Sequence, residues 1–92
     1  MGLFDKMKDV NEMRKQAKQI EMMLGAEEVT GKSSGGKITI ITDGNQKVKS
    51  VQVDDSIVGD RGEIARSIRE ALDDLNNKHK KMLQSKFGGM MG

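Results

Sequence analysis

The sequence contains no cysteine, no proline, no tryptophan and no tyrosine, and Phe4 and Phe87 are its only aromatic residues. Without cysteine the chain has neither disulfides nor thiolate metal ligands. The scarcity of aromatic side chains argues against proteins that stack single-stranded bases on Phe, Tyr or Trp. A single histidine, His79, supplies neither a metal cage nor a catalytic triad by itself. We therefore expect a protein that is not an enzyme and that carries no cofactor and no metal.

Long apolar runs are also missing, since no segment approaches the ~20 residues that cross a bilayer. The N-terminal sequence places Asp5 and Lys6 where a secretory signal would be apolar. The sequence therefore predicts a cytoplasmic protein with no membrane partner. A length of 92 residues predicts one domain over residues 1–92 with a thin core of its own.

Apolar residues recur at helical spacing in two segments. The first predicted helix covers residues 1–25, with the apolar stripe Leu3, Met7, Val10, Met13, Ala17, Ile20 and Leu24 and with Gly25 as its stop. The second covers residues 60–87, where Asp60 and Glu63 have the spacing of a capping box. Residues 88–92 follow as a flexible tail.

Between the helices, residues 26–54 have the β-branched composition and turn residues of a three-stranded antiparallel meander. The turn between the second and third strands is Asp43–Gln46, because Gly and Asn tolerate positive φ. One face of the sheet is apolar, and Ile41 and Val48 suggest a partial second apolar face. The predicted fold is α+β with the order α-β-β-β-α and two long amphipathic helices.

The two helices and the small sheet cover each other incompletely. A helix of ~33 Å overhangs a strand of ~23 Å by roughly 10 Å. The apolar stripe continues into the overhang, so the sequence predicts a homodimer as part of the fold. Periodicity leaves open whether the two helices of one subunit pair with each other or across the dimer.

The net charge of +2 conceals an uneven distribution. Residues 54–77 contain three basic and seven acidic residues, whereas residues 78–92 contain four basic residues and no acidic residue. The bases of the last segment are Lys78, Lys80, Lys81 and Lys86. On the first helix, three further bases share one side: Arg14, Lys15 and Lys18.

The helix macrodipole explains a lysine near a helix C-terminus, with a gain of ~0.3–1 kcal/mol. Lys78 and Lys80 lie too far from the end to gain much, and no acid accompanies them. Like charges one turn apart, as at Arg14 and Lys18, cost a few tenths of a kcal/mol. The pattern therefore favours a surface that binds a polyanion, and these seven bases are the predicted contacts.

Two other features have ordinary structural explanations. Residues 31–37 match the first seven positions of a phosphate-binding loop, but Ile38 stands where Ser or Thr is needed and a strand follows instead of a helix. The expected role of His79 is structural, in a helix–helix contact and bonded to a neighbouring carboxylate or carbonyl.

The run from Glu28-Val29-Thr30-Gly31 through Gly35-Gly36 and Ile38-Thr39-Ile40 to Val48-Lys49-Ser50-Val51-Gln52-Val53-Asp54 resembles the YbaB/EbfC nucleoid-associated proteins. The similarity extends to the Met- and Gln-rich first helix and the Met/Gly tail. It departs after Asp54, where Asp55 and Ser56 stand in place of the Pro of many members. The resemblance implies a bacterial nucleoid protein of the cytoplasm. It implies a tweezer-like homodimer that binds double-stranded DNA, with no enzymatic activity and no cofactor.

Combining charge and resemblance, we expect binding to double-stranded DNA mainly through backbone phosphates, with weak sequence preference. The rival hypothesis is a protein-interaction module that docks a recombination or replication protein through Met22, Met23 or Phe87.

Overall fold

The computed structural model describes the backbone of residues 3–91 and the side chains of residues 10–88. Along the chain the helices and strands are α1 (Leu3–Gly25), β1 (Glu28–Lys32), β2 (Ile38–Asp43), β3 (Val48–Val53) and α2 (Arg61–Met91), with single 3-10 turns at Ser34–Gly36 and Asp55–Ile57. The three strands form one antiparallel sheet in the order β1-β2-β3. The predicted α+β class and the α-β-β-β-α order are confirmed.

The apolar face of the sheet follows from the pairing of β2 with β3. Ile38 lies opposite Val53 and Ile40 opposite Val51, so all four side chains project to the same side. α2 packs on this side over β1 and β2. Ile38 and Ile40 are consequently buried, whereas Val51 is 55% exposed and Val53 43% exposed. The β3 half of the apolar face is open.

The expected second apolar face is wrong. Ile41 pairs with Ser50, but the next pair is Thr42 with Val48, which leaves Lys49 as the extra residue of a β-bulge. The bulge shifts the alternation by one residue, so Val48 lies on the same side as Thr42 and the rest of the apolar face. The other face keeps Ile41 as an isolated apolar residue.

The hydrophobic core lies between α2 and the first two strands. Its buried apolar members are Val29, Ile38, Ile40, Ile57, Ala71 and Leu75. The closest approach is at Gly31 of β1, where an added Cβ would lie 2.5 Å from the Leu75 Cβ and 2.8 Å from the Leu75 Cα. Only glycine permits this distance between strand and helix.

The start of α2 agrees with the sequence prediction, and its end does not. The Asp60 carboxylate accepts a hydrogen bond from the Glu63 N–H at 3.1 Å, and the Asp60 carbonyl accepts one from the Ile64 N–H at 2.9 Å. The predicted N-cap is therefore present. The predicted end near Phe87 is wrong, because α2 continues to Met91. Glycine within a helix costs only about 1 kcal/mol relative to alanine, and Gly88 keeps a negative φ, so it does not act as a stop.

α1 projects away from the rest of the protein. Every side chain from Val10 to Met23 is exposed, including Val10 at 46% and Met13 at 66%. The side chains of Leu3 and Met7, which the stripe also includes, lie outside the described residues, as does Gly92 of the predicted tail. The described part of the molecule measures 64 × 24 × 20 Å, so the projecting helices determine its shape.

A candidate nucleic-acid interface

Three bases form a cluster on α1. Arg14, Lys15 and Lys18 are all exposed, and Lys18 lies one turn from each of the others. The apolar residues of α1 recur at heptad spacing and form one seam along the helix: Val10, Met13, Ala17, Ile20 and Leu24. Lys15 and Lys18 occupy heptad positions on the opposite side of the helix from this seam. Covering that seam would therefore leave Lys15 and Lys18 accessible.

An open groove of about 380 Å³ runs between α1 and the β2–β3 turn. Lys18 lines it from the helix and Lys47 from the turn, together with Glu21, Met22, Asp43 and Asn45. Lys47 is an exposed base outside the predicted set, because that set contains only bases that cluster within one helix. Contact between a predicted helix and a turn has no signal in sequence spacing.

The four lysines of α2 do not share one face. Lys78 and Lys81 are three residues apart and lie on neighbouring sides of the helix. Lys80 follows Lys78 by two residues, or about 200° around the axis, and lies on the opposite side. Lys86 approaches the α1–β1 connection, where its Nζ pairs with the Glu27 carboxylate. The C-terminal part of α2 is thus basic around most of its circumference.

Lys78 has an acidic partner that the charge distribution did not reveal. Its Nζ lies 2.9 Å from Asp74 Oδ2, and the same oxygen accepts a hydrogen bond from the Lys32 N–H of β1 at 2.8 Å. The Lys32 N–H bond and then the Lys78 ammonium hold the pKa of Asp74 below its ordinary value. The expectation that no acid accompanies Lys78 is wrong, because Asp74 is one helical turn earlier.

Lys80 and Lys81 are both exposed, and within residues 10–88 neither has an ion-pair partner. Of the four lysines at positions 78–86, they are therefore the most accessible to an external anion. The amide side chains Gln16, Gln19, Asn76 and Asn77 on the same helices are exposed as well.

His79 lies on the side of α2 that faces the β2–β3 turn. Its Nε2 lies 2.9 Å from the Gly44 carbonyl oxygen. Because a carbonyl only accepts, Nε2 carries the proton and donates. The expected carbonyl partner is present, but it belongs to a turn and not to a helix–helix contact.

Other kinds of site have little support in the described part of the chain. Residues 10–88 contain no group of three or more His, Asp or Glu side chains that could hold a metal ion. Among the described helices, none has the length and apolar character needed to span a membrane.

A small sheet with two long helices that display exposed bases defines an α+β protein suited to binding a polyanion. The sequence profile of the YbaB/EbfC DNA-binding family matches residues 1–92, and the chain belongs to this family. It is 27% identical over 94 residues to a nucleoid-associated protein of Campylobacter fetus subsp. fetus, covering 97% of this chain and 91% of the relative. It is 31% identical over 72 residues to a nucleoid-associated protein of Xylella fastidiosa, covering 78% of this chain and 67% of the relative.

The fold also matches a crystal structure of an uncharacterized protein from Helicobacter pylori. The TM-score is 0.79 at 23% sequence identity, and the match covers 100% of this chain and 99% of the other. This similarity supports the fold described above.

Proposed function

We propose that this protein binds double-stranded DNA as a homodimer in the bacterial nucleoid, and that it does so through the phosphate backbone and without catalysis. The observation that carries the proposal is the exposed charge of Lys80 and Lys81 on α2, for which no ion-pair partner lies within residues 10–88. Family membership and the names of both nucleoid-associated relatives support DNA as the polyanion.

The seven predicted bases contribute unequally in this proposal. Lys80 and Lys81 are the principal contacts on α2, and the α1 cluster supports them: Arg14, Lys15 and Lys18. Lys78 and Lys86 must exchange Asp74 and Glu27 for a phosphate. The Lys78–Asp74 pair is exposed, and such pairs contribute only ~0–1 kcal/mol, so its exchange costs little. Both side chains of the Lys86–Glu27 pair are 31% exposed, so its exchange costs more.

Sequence preference should be weak. Lysine neutralises phosphates but provides little base readout, and it is the most frequent base in the proposed interface. Exposed amides on both helices are the groups able to pair with adenine edges in the major groove: Gln16, Gln19, Asn76 and Asn77.

The proposed homodimer accounts for two open apolar surfaces. One is the α1 seam, where Val10, Met13 and Ile20 are 40–66% exposed. The other lies beside α2, where exposed Ile68 and Leu72 occupy the flank that faces β3 with Val51 and Val53. Exposed apolar surfaces of this kind mark association sites. A second copy offers each surface its complement, with α1 of one subunit in the α2–β3 groove of the other.

A salt titration tests the proposed binding mode. If about four bases per subunit contact phosphates, a dimer makes ~8 contacts and log K falls with log salt at a slope near −7. Affinity for a fluorescent duplex should then fall by roughly four decades between ~50 and ~200 mM salt. A slope shallower than about −2 would contradict phosphate-dominated binding.

Charge reversal tests the proposed location. The double variant Lys80→Glu and Lys81→Glu should lose duplex binding and keep the dimer mass in light scattering. The matched control reverses two exposed bases elsewhere, Lys49 and Arg61, with the same change in net charge. Equal losses in the two variants would show that net charge, and not the α2 cluster, determines binding.

A second candidate function is docking of a recombination or replication protein. The observation in its favour is Met22, which is 71% exposed on α1, with Met23 beside it at 49%. Binding of this kind would survive high salt and be lost in a Met22→Ser, Met23→Ser variant, whereas duplex binding would not change.

A further inference from the structure

Besides its direct connection to β1, α1 is held to the rest of the chain by hydrogen bonds from the β2–β3 turn. The Gly44 N–H donates to the Leu24 carbonyl at 2.8 Å, and the Asn45 side-chain amide donates to the Glu21 carbonyl at 2.8 Å. Both acceptors are carbonyls of the last turn of α1, where helical partners run out. The Leu24 carbonyl also accepts a hydrogen bond from the Glu27 N–H at 3.0 Å. The turn therefore caps the end of α1.

The same turn also contacts α2. The Gly44 carbonyl accepts the hydrogen bond from His79 Nε2 at 2.9 Å. One buried residue thus uses its N–H for α1 and its C=O for α2. A side chain is not tolerated here, because a Cβ on Gly44 would lie 2.5 Å from the Leu24 carbonyl oxygen.

The turn is itself held rigidly. The Asp43 carboxylate accepts hydrogen bonds from the Asn45 N–H at 2.8 Å and the Lys47 N–H at 3.0 Å, and the Asp43 N–H donates to the Lys47 carbonyl at 2.9 Å. Within one subunit, the side chains of α1 are exposed from Val10 to Met23, so its orientation relative to the sheet depends on its C-terminal end, where these bonds lie.

We infer that Leu24, Gly44 and His79 form an orienting junction, and that His79 is a positioning residue that sets the α1 bases relative to the α2 bases. This inference rests on the proposed DNA binding, because its functional consequence is the number of phosphates that both clusters contact at once. His79 touches no DNA in this arrangement. It acts through the Gly44 carbonyl.

Two substitutions of similar size separate the hydrogen bond from the packing. His79→Leu fills the space and has no donor, whereas the amide of His79→Gln can donate to the same carbonyl. If the bond positions α1, the leucine variant changes the direction of the helix and the glutamine variant preserves it.

The absence of native cysteine allows site-specific spin labelling of the full chain. Labels at Asn11→Cys on α1 and Gln84→Cys on α2 use exposed positions, and an excess of unlabelled chain suppresses distances between subunits. Because each position lies one turn from a proposed DNA contact, distances are measured without DNA, and the duplex titrations use the unlabelled variants. Asn11 is thirteen residues from Leu24, a lever of about 20 Å, so a swing of about 15° moves the label by about 5 Å.

We expect the original protein and His79→Gln to give the same narrow distance distribution and His79→Leu to shift or broaden it by about 5 Å or more. On duplex DNA, loss of simultaneous contact should reduce the salt slope of His79→Leu from near −7 to near −3.6, as eight contacts fall to four. His79→Gln should retain the steep slope.

Unchanged distances in His79→Leu would overturn the junction, and so would equal changes in the leucine and glutamine variants. Changed distances with an unchanged salt slope would overturn the role in DNA binding. Failure of the proposed function is distinguishable, because the original protein would then not bind duplex at all while the distances still test the junction.

Discussion

Replacement of Gly31 by alanine should strongly destabilise the protein, because this glycine sets the distance between α2 and β1. The new Cβ would lie 2.5 Å from the Leu75 Cβ and 2.8 Å from the Leu75 Cα, where ordinary contacts begin near 3.4 Å. Backbone atoms cannot rotate away, so α2 must move by up to about 1 Å across its packed face. Overpacking of this kind costs about 1–3 kcal/mol. For a chain of this size, such a loss corresponds to a fall in Tm of roughly 5–20 °C.

The matched control is the same substitution at Gly62, in the first turn of α2. There the nearest atom to an added Cβ is the Asp60 Oδ1 at 3.7 Å, which is an ordinary contact. Alanine is favoured over glycine in a helix by about 1 kcal/mol, so this variant should be more stable than the original protein. Thermal unfolding is followed by far-UV circular dichroism at equal protein concentration, since association raises Tm. A Gly31→Ala variant as stable as the original protein would refute the proposed close approach.

Three smaller perturbations probe individual contacts. Ser67 is 1% exposed, and its hydroxyl has no hydrogen-bond partner among the described residues. Ser67→Ala should therefore raise the free energy of unfolding by about 1 kcal/mol. A fall in the urea midpoint would show that the hydroxyl is bonded. Gln46 has a left-handed φ of 67°, so Gln46→Gly should be about 1 kcal/mol more stable than Gln46→Ala, and equal midpoints would contradict strain at this position. The folded-state pKa of Asp74 is depressed, so its stabilisation is present above the unfolded value near ~3.9 and is lost as pH falls through the folded value. Asp74→Asn should therefore be less stable than the original protein at pH 7, with a difference that shrinks below about pH 4; a constant difference would exclude titration of this carboxylate.

The order and type of the elements could be predicted because each has a local signal. The β-branched run of β2 and the N-cap at Asp60 act within a few residues, and both are present in the structure. The end of α2 was predicted too early because a glycine pair such as Gly88-Gly89 occurs in two settings: as a left-handed cap after a helix, or within a helix that it weakens. Tertiary contacts beyond the pair decide between these two settings, and the spacing of residues in the sequence does not reveal tertiary contacts.

The bulge at Lys49 had no comparable signal. Strict alternation along β3 places Val51 and Val53 on the correct face of the sheet. The extra residue of the bulge moves Val48 to the face opposite the one that alternation predicts. The turn shows the same limit. Positive φ was expected at Gly44 or Asn45, whereas Gln46 adopts it and Gly44 is required for its close approach to α1.

For the candidate interface, the sequence predicts which bases are exposed on the helices but not which residues lie beside them in the fold. Exposure of Lys80 and Lys81 follows from their helical positions opposite and beside the core. The Glu27–Lys86 pair joins residues far apart in sequence, and the Lys18–Lys47 groove joins a helix to a turn. Such pairs depend on the direction of α1 relative to α2, which the junction at Gly44 sets and which no local pattern specifies.

The position of Asp74 explains how an acidic residue is compatible with a proposed DNA-binding arm. Its carboxylate serves two donors, the Lys32 N–H of the edge strand and the Lys78 ammonium. When Lys78 moves to a phosphate, the Lys32 N–H still has its acceptor, so the strand edge remains satisfied and no buried group loses a partner. The exchange is confined to an exposed ion pair, whose loss costs ~0–1 kcal/mol, whereas each phosphate contact releases a counterion. In the proposed complex, DNA binding therefore changes the partner of Lys78 without disturbing the contact that holds α2 to β1.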